Sequence, residues 1–278
     1  MPEHGRVEEL ENDGLRFPVR DRGPLDGEVV VLLHGFPQRA SSWSTVEPLL
    51  HAAGLRTLAP EQRGYATGAR PTRRRDYRLP RLAGDVLALL RRTGPAHLVG
   101  HDWGAAVAWW VAGEHPEQVR TLTSVSVPHP AAMVASLTSS DQLLRSWYIL
   151  FFQLPWLPER LLASRLGERM LARIGMDAGM VADFRRDVVA TGALPGGLAW
   201  YRALPFTGPA GVRSPVRVPT THVWSDGDVA LARRGADLTA EHVDADYRLE
   251  VLRGVSHWIP EQAAERLAEI VLARVRQG

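Results

Sequence analysis

Apolar positions along this chain switch between continuous short runs and helical spacing. Glu28–Val29–Val30–Val31–Leu32–Leu33 is an unbroken run that ends at His34–Gly35. A run of that length, rich in β-branched residues, predicts a strand buried on both faces, as in a parallel sheet. From Ser42 to Ala53 the spacing becomes helical, with Trp43, Val46, Leu49 and Leu50 on one side. Leu55 to Ala59 predicts the next strand, and Leu82 to Leu90 a helix stopped by Gly94–Pro95. Ala96 to Val99 predicts a very short strand running straight into Gly100–His101–Asp102–Trp103–Gly104. The small residues from Ala105 to Ala112 open a helix, and Val119 to Val127 predicts another strand, closed by Pro128.

The alternation then breaks. From Pro130 to about Ser214 the pattern holds only helix-like stretches, clearest at Gln142 to Gln153, Leu157 to Ile174 and Met180 to Thr191. It resumes with a strand at Val218 to Trp224, a helix at Ala232 to His242 and a strand at Tyr247 to Leu252. A final helix opens at Pro260, since proline is favoured in a first helical turn. Strand–helix alternation predicts an α/β fold with a mostly parallel sheet flanked by helices. The expected division is an α/β core at 1–130 and 215–278 with a helical insertion at 131–214. The insertion leaves after one strand and returns before another. It can therefore cover the carboxyl ends of the strands, where such sheets bind ligands.

Composition narrows the chemistry. The 278 residues are long enough for a large core, and 45% hydrophobic with 23% charged is ordinary for a globular protein. With no cysteine, thiolate catalysis, disulfides and cysteine-ligated metals are excluded. Every basic side chain other than histidine is arginine, and the formal net charge is only +2. Arg73–Arg74–Arg75 and Arg91–Arg92 are short, isolated runs, and a nucleic-acid reader would cluster more charge. The stretch from Met1 to Asp13 is charged, and no run of about 20 apolar residues offers a membrane span. A cytoplasmic location with no membrane span is expected; a homodimer stays open.

Polar residues follow the strands at three places: His34–Gly35–Phe36–Pro37–Gln38, Gly100–His101–Asp102–Trp103–Gly104 and Trp224–Ser225–Asp226–Gly227–Asp228. His257 lies between the last strand and the Pro260 helix. Gly100-x-Asp102-x-Gly104 has the form of a nucleophile elbow, with aspartate at the reactive position. Each of these residues alone has a plainer reading, Asp102 as a helix cap and His257 as a packed histidine. Together they stand at strand ends in the chain order nucleophile, acid, histidine.

On these motifs the chain resembles the α/β-hydrolase superfamily, and within it the epoxide hydrolases and haloalkane dehalogenases, from about Leu15 to the last helix. An aspartate nucleophile has derivable consequences. With a reference pKa of about 3.9, its carboxylate is ionised without a base. Attack on an acyl carbon would yield only an anhydride, whereas attack on a saturated carbon yields an alkyl ester. That ester must be hydrolysed for turnover, with His257 as general base on a water. By position either Asp226 or Asp228 could reach His257, and the resemblance favours Asp228 as the residue orienting it. It also implies an oxyanion hole from the backbone N–H groups of Phe36 and Trp103. The earlier strand end that carries the acid in some dehalogenases is Pro128–His129–Pro130 here, with no carboxylate.

The resemblance separates the leaving groups too. Epoxide hydrolases carry two tyrosines in the insertion that protonate the epoxide oxygen. Tyr148, ahead of Phe152–Gln153–Leu154–Pro155, and Tyr201, within Trp200–Tyr201–Arg202, stand at those places. Haloalkane dehalogenases often have asparagine directly after the His-Gly pair; here that residue is Phe36, and the sole asparagine is Asn12. The expected pocket is apolar, drawn from Phe36, Trp103, Trp147, Phe151, Phe152 and Trp156, with neither metal nor cofactor. The resulting expectation is hydrolysis of an aryl or alkyl epoxide by water. Halide release from haloalkanes is one alternative, and a ligand-binding protein without turnover another.

Overall fold

The computed structural model describes residues 5–208 and 214–277. Residues 1–4 of the charged N-terminal stretch, and 209–213 of the expected insertion, lie outside the described residues. The buried runs pair side by side in one sheet. Its strands are β1 (Glu9–Asn12), β2 (Leu15–Arg22), β3 (Val29–Leu33), β4 (Arg56–Pro60), β5 (Ala96–His101), β6 (Val119–Val125), β7 (Thr220–Ser225) and β8 (Tyr247–Leu252). The spatial order is β1-β2-β4-β3-β5-β6-β7-β8, parallel from β4 to β8. β1 and β2 are antiparallel to their neighbours.

These two strands were not expected from the pattern, because their outward positions are charged and β2 contains Pro18. Leu10, Phe17 and Val19 are their buried apolar residues. The turn between them, Asp13–Gly14, has positive φ at both residues, the geometry that joins a tight hairpin.

Successive side chains in a strand point to opposite faces, so the continuous runs feed two cores. Val31 and Leu33 of β3 pack with Leu58, Leu98 and Leu122 on one face. Val30 and Leu32 pack with Ala59, Val99 and Val223 on the other. Helices α1 (Glu47–Ala52), α2 (Leu79–Thr93) and α3 (Trp103–Glu114) follow β3, β4 and β5. The helix expected over 42–53 is split into a 3-10 turn, Ala40–Trp43, and α1. Pro48 stands in the first turn of α1, where it has no N–H to give a preceding helix.

Between β6 and β7 the described chain is helical: α4 (Pro130–Ser139), α5 (Gln142–Arg145), α6 (Trp147–Phe151), α7 (Leu157–Leu162), α8 (Arg165–Arg173), α9 (Ala178–Asp183) and α10 (Leu194–Ala203). The three expected stretches are each interrupted. Ser164 ends the α7 turn and caps α8 by accepting from the Gly167 N–H at 3.3 Å. A π-helical turn, Phe184–Val189, continues α9. α4 and α10 were not among the expected stretches. α10 begins Leu194–Pro195–Gly196–Gly197, poor helix formers, and packing holds it. Gly196 lies so close to the Gly64 backbone that any Cβ would overlap it. Trp200 is fully buried and donates its indole N–H to the Arg63 carbonyl at 2.7 Å. The chain closes with α11 (Arg233–Leu238), α12 (Ile259–Gln262) and α13 (Ala264–Val275).

Candidate active site

β5 passes into α3 through Asp102, whose φ of 51° and ψ of −120° are unfavourable for any residue but glycine. Such strain costs on the order of 1–3 kcal/mol and persists only where the surroundings enforce it. Here the enforcement is close packing. A Cβ on Gly100 would overlap the Gly104 backbone, and one on Gly104 would overlap the Leu33 carbonyl. The strand–turn–helix is thereby tight enough to lift the Asp102 carboxylate above the sheet.

The two oxygens of Asp102 have different surroundings. Oδ1 accepts the Phe36 N–H at 2.8 Å. Oδ2 lies 3.5 Å from His257 Nε2. Trp103, the other expected oxyanion donor, supplies the first N–H of α3, a group with no partner inside the helix.

His257 Nδ1 lies 2.7 Å from Asp228 Oδ2. The other Asp228 oxygen accepts the N–H groups of Ala230 and Leu231 at 2.8 and 3.0 Å. Asp226 is exposed and accepts the Gly254 N–H at 2.7 Å, so it closes a turn rather than facing His257. Asp102, Asp228 and His257 are brought together as the sequence pattern expects.

Several groups that hold this arrangement were not singled out from the sequence. The His257 carbonyl accepts from His101 Nε2 at 2.9 Å and from Ser126 Oγ at 3.0 Å. Arg145 donates to the Asp228 carbonyl at 2.9 Å. Gln142 accepts the Ala232 N–H at 2.7 Å and donates to the Ala230 carbonyl at 2.8 Å. His101 adjoins Asp102 in the elbow, which was the one signal available. The others carry no motif.

Burial opposes charge on His257, but the flanking Asp228 and Asp102 overcome it and push its pKa up to about 10. Burial likewise opposes charge on Asp102, but His257 and the Phe36 N–H hold its pKa below the usual carboxylate value. The two flanking carboxylates thus favour the charged form of the imidazole. His101 beside it is pushed down to about 4 by burial and then by the His257 charge, so it is neutral.

Tyr148 and Tyr201 come from α6 and α10, and their rings meet edge to face at 5.9 Å. Burial first, and then the Asp102 charge, raises both hydroxyl pKa values, so both remain protonated donors. Together with Asp102 and His257 they line a cavity of about 200 Å³ whose other walls are mainly apolar. Of the expected pocket residues, Phe36, Trp147, Phe151 and Phe152 line it. Leu161, Met170, Leu171, Ile174 and Trp258 line it too, though no pattern marked them.

Two expected pocket residues stand elsewhere. Trp156 has a left-handed backbone at the start of α7, which turns its ring outward beneath the Arg160 guanidinium, 4.9 Å away. Trp103 is set behind the cavity wall, packing edge-on against the rings of Tyr201 at 5.1 Å and Trp200 at 5.9 Å. No cluster of three or more histidine, aspartate or glutamate side chains suited to a metal ion occurs among the described residues.

This architecture matches known proteins along most of its length. Residues 28–261 match the family described as alpha/beta hydrolase fold. The chain is 32% identical to the AB hydrolase superfamily protein YfhM of Bacillus subtilis, over 95% of each. It is 31% identical to epoxide hydrolase A of Mycobacterium tuberculosis, over 95% of this chain and 94% of that one. The solved structure of epoxide hydrolase A from Mycobacterium thermoresistibile superposes with a TM-score of 0.82 at 25% identity, covering 96% of this chain and 97% of that one. The chain belongs to the α/β-hydrolase family and stands among its epoxide hydrolases.

Proposed function

We propose that the protein hydrolyses an apolar aryl or alkyl epoxide to a vicinal diol through an ester on Asp102. The observation that carries this reading is the asymmetry of Asp102: Oδ1 is occupied by the Phe36 N–H, while Oδ2 stands on the His257 side, in a cavity shared with two tyrosines. Asp102 Oδ2 attacks an epoxide carbon and the ring C–O bond breaks. The departing oxygen takes a proton from Tyr148 or Tyr201. Esterification removes the Asp102 charge, one of the two that hold His257 protonated. His257 then sheds its proton, which restores the tyrosine. Neutral His257, oriented by Asp228, removes a proton from water as the water adds to the ester carbonyl. Charge develops on Oδ1, where the N–H groups of Phe36 and Trp103 receive it. As the adduct collapses, the departing diol oxygen takes a proton from His257, and the acid left on Asp102 returns its proton to the imidazole, which regenerates the carboxylate and the protonated His257.

In this reading the helices within 131–214 form a cap that closes over the cavity and keeps bulk water out. Phe36, Trp147, Phe151 and Phe152 supply apolar walls for the substrate. A cytoplasmic location is part of the same proposal, tested by cell fractionation. The relatives named as epoxide hydrolases support the leaving group, and no observation favours halide release.

The test is a paired assay of the wild-type protein and Asp102→Ala. Diol formation from terminal epoxides is followed beside halide release from haloalkanes. Diol from the wild type alone is expected. Halide without diol, or diol from both proteins, would overturn the proposal.

A further inference from the structure

Helices α5 to α8 carry more apolar surface than their packing uses. Leu144 and Leu150 are each 76% exposed, Trp156 is 59% exposed and Trp147 57%. Apolar groups concentrated in this way mark an interaction surface rather than ordinary scatter. The patch is continuous with the cavity, because exposed Trp147, Ile174 and Val229 also line it. An apolar substrate entering there would pass directly from the patch to Asp102.

Charge on the same helices distinguishes the occupant. Arg160, Arg165, Arg169 and Arg173 are exposed, and none is paired with a carboxylate among the described residues. Acidic residues nearby are already engaged: Glu159 by Arg202, Glu168 by Arg185 and Asp141 by Arg145. A second copy docking through this face would bring the same unpaired arginines to both sides of the contact, since a two-fold contact uses the same patch twice, while the carboxylates nearby are already engaged. An anionic lipid surface suits both features. Tryptophan favours the headgroup boundary, and each arginine gains from the negative surface potential. No helix among the described residues is long and apolar enough to cross a membrane.

We propose that the α5–α8 face docks on an anionic lipid surface and takes a lipophilic epoxide from it into the cavity. The substrate in this statement rests on the epoxide reading of the site, whereas the docking does not. Two variants test it, Leu144→Ser with Leu150→Ser, and Arg165→Gln with Arg169→Gln and Arg173→Gln. All five side chains are outside the cavity wall. The readout is co-sedimentation with phosphatidylcholine vesicles, alone or containing about a third phosphatidylglycerol.

Wild-type protein should sediment with the anionic vesicles and be released by salt. Each variant should bind at least about tenfold more weakly. Both should keep wild-type turnover of a water-soluble epoxide while losing turnover of an epoxide held in the vesicles. Wild-type protein left in the supernatant, or binding that neither variant weakens, would overturn the docking. So would a dimer in light scattering that the leucine variant converts to monomer, since a second copy would then own the face. Vesicle binding without diol from any epoxide would uphold the docking and overturn the epoxide reading.

Discussion

In the proposed cycle Asp102 and His257 change roles together, because the Asp102 charge is one of the two that favour the protonated imidazole. Replacing His257 by glutamine should leave attack intact and stall ester hydrolysis. Intact-mass measurement after epoxide treatment should show the protein heavier by one epoxide, and a persistent unmodified mass with a good substrate would remove His257 from the role of base. The proposal puts the tyrosines at the other step. Tyr148→Phe with Tyr201→Phe should slow epoxide opening by at least about a hundredfold, the low end for a lost general acid. Near-normal single-turnover rates in the double variant would overturn their assignment. The charge between Asp228 and Asp102 also bears on stability. His257 has a folded pKa of about 10, above its ordinary value of 6.5. Its stabilisation is therefore full below about pH 6.5 and declines as pH rises through about 10. Urea midpoints should fall between pH 7 and 10 in the wild type and less so in His257→Gln; equal slopes would contradict the raised pKa.

At the scale of elements, the site depends on close backbone approaches that put helices in place. α10 carries Tyr201 and sits close to the core, with Gly196 resting on the Gly64 backbone. Gly196→Ala should push α10 outward, costing about 1–3 kcal/mol through overpacking and slowing epoxide opening more than ester hydrolysis. Pre-steady-state kinetics separates the two steps, and equal slowing of both would argue that Gly196 acts on the fold alone. The same logic explains what could be read from the chain. Gly100 and Gly104 bracket Asp102 and made the elbow legible. Nothing in Gly196–Gly197 announced a helix, because glycines are poor helix formers and that segment is held by tertiary contacts such as those of Trp200.

For the whole molecule, buried histidines set the response to acid. Burial holds His34, His101, His129 and His222 at pKa values of about 4, below the ordinary 6.5. Below about pH 6.5 the unfolded chain binds protons at these sites first, so stability is lost progressively as pH falls toward 4. Chemical denaturation should show a midpoint that drops between pH 7 and 5. A flat midpoint would mean these histidines are not held neutral. Their placement follows from the two-faced sheet, in which strand residues such as His101 and His222 have no route to solvent.

The sequence by itself determined the α/β class, the order of the parallel strands along the chain, and the residues at their carboxyl ends. Those features are local: a buried run, a glycine-bracketed turn and an ionised carboxylate need no distant partner to be recognised. Only the tertiary structure decided which of Asp226 and Asp228 faces His257, since the two differ by one turn of backbone and by what packs behind them. It also turned Trp156 outward, set Trp103 behind Tyr201, and placed Met170 and Ile174 on the cavity wall. Aromatic and aliphatic side chains satisfy the same burial preference in a core, a wall or a patch. Their position is settled by helix breaks and packing contacts far apart in the chain.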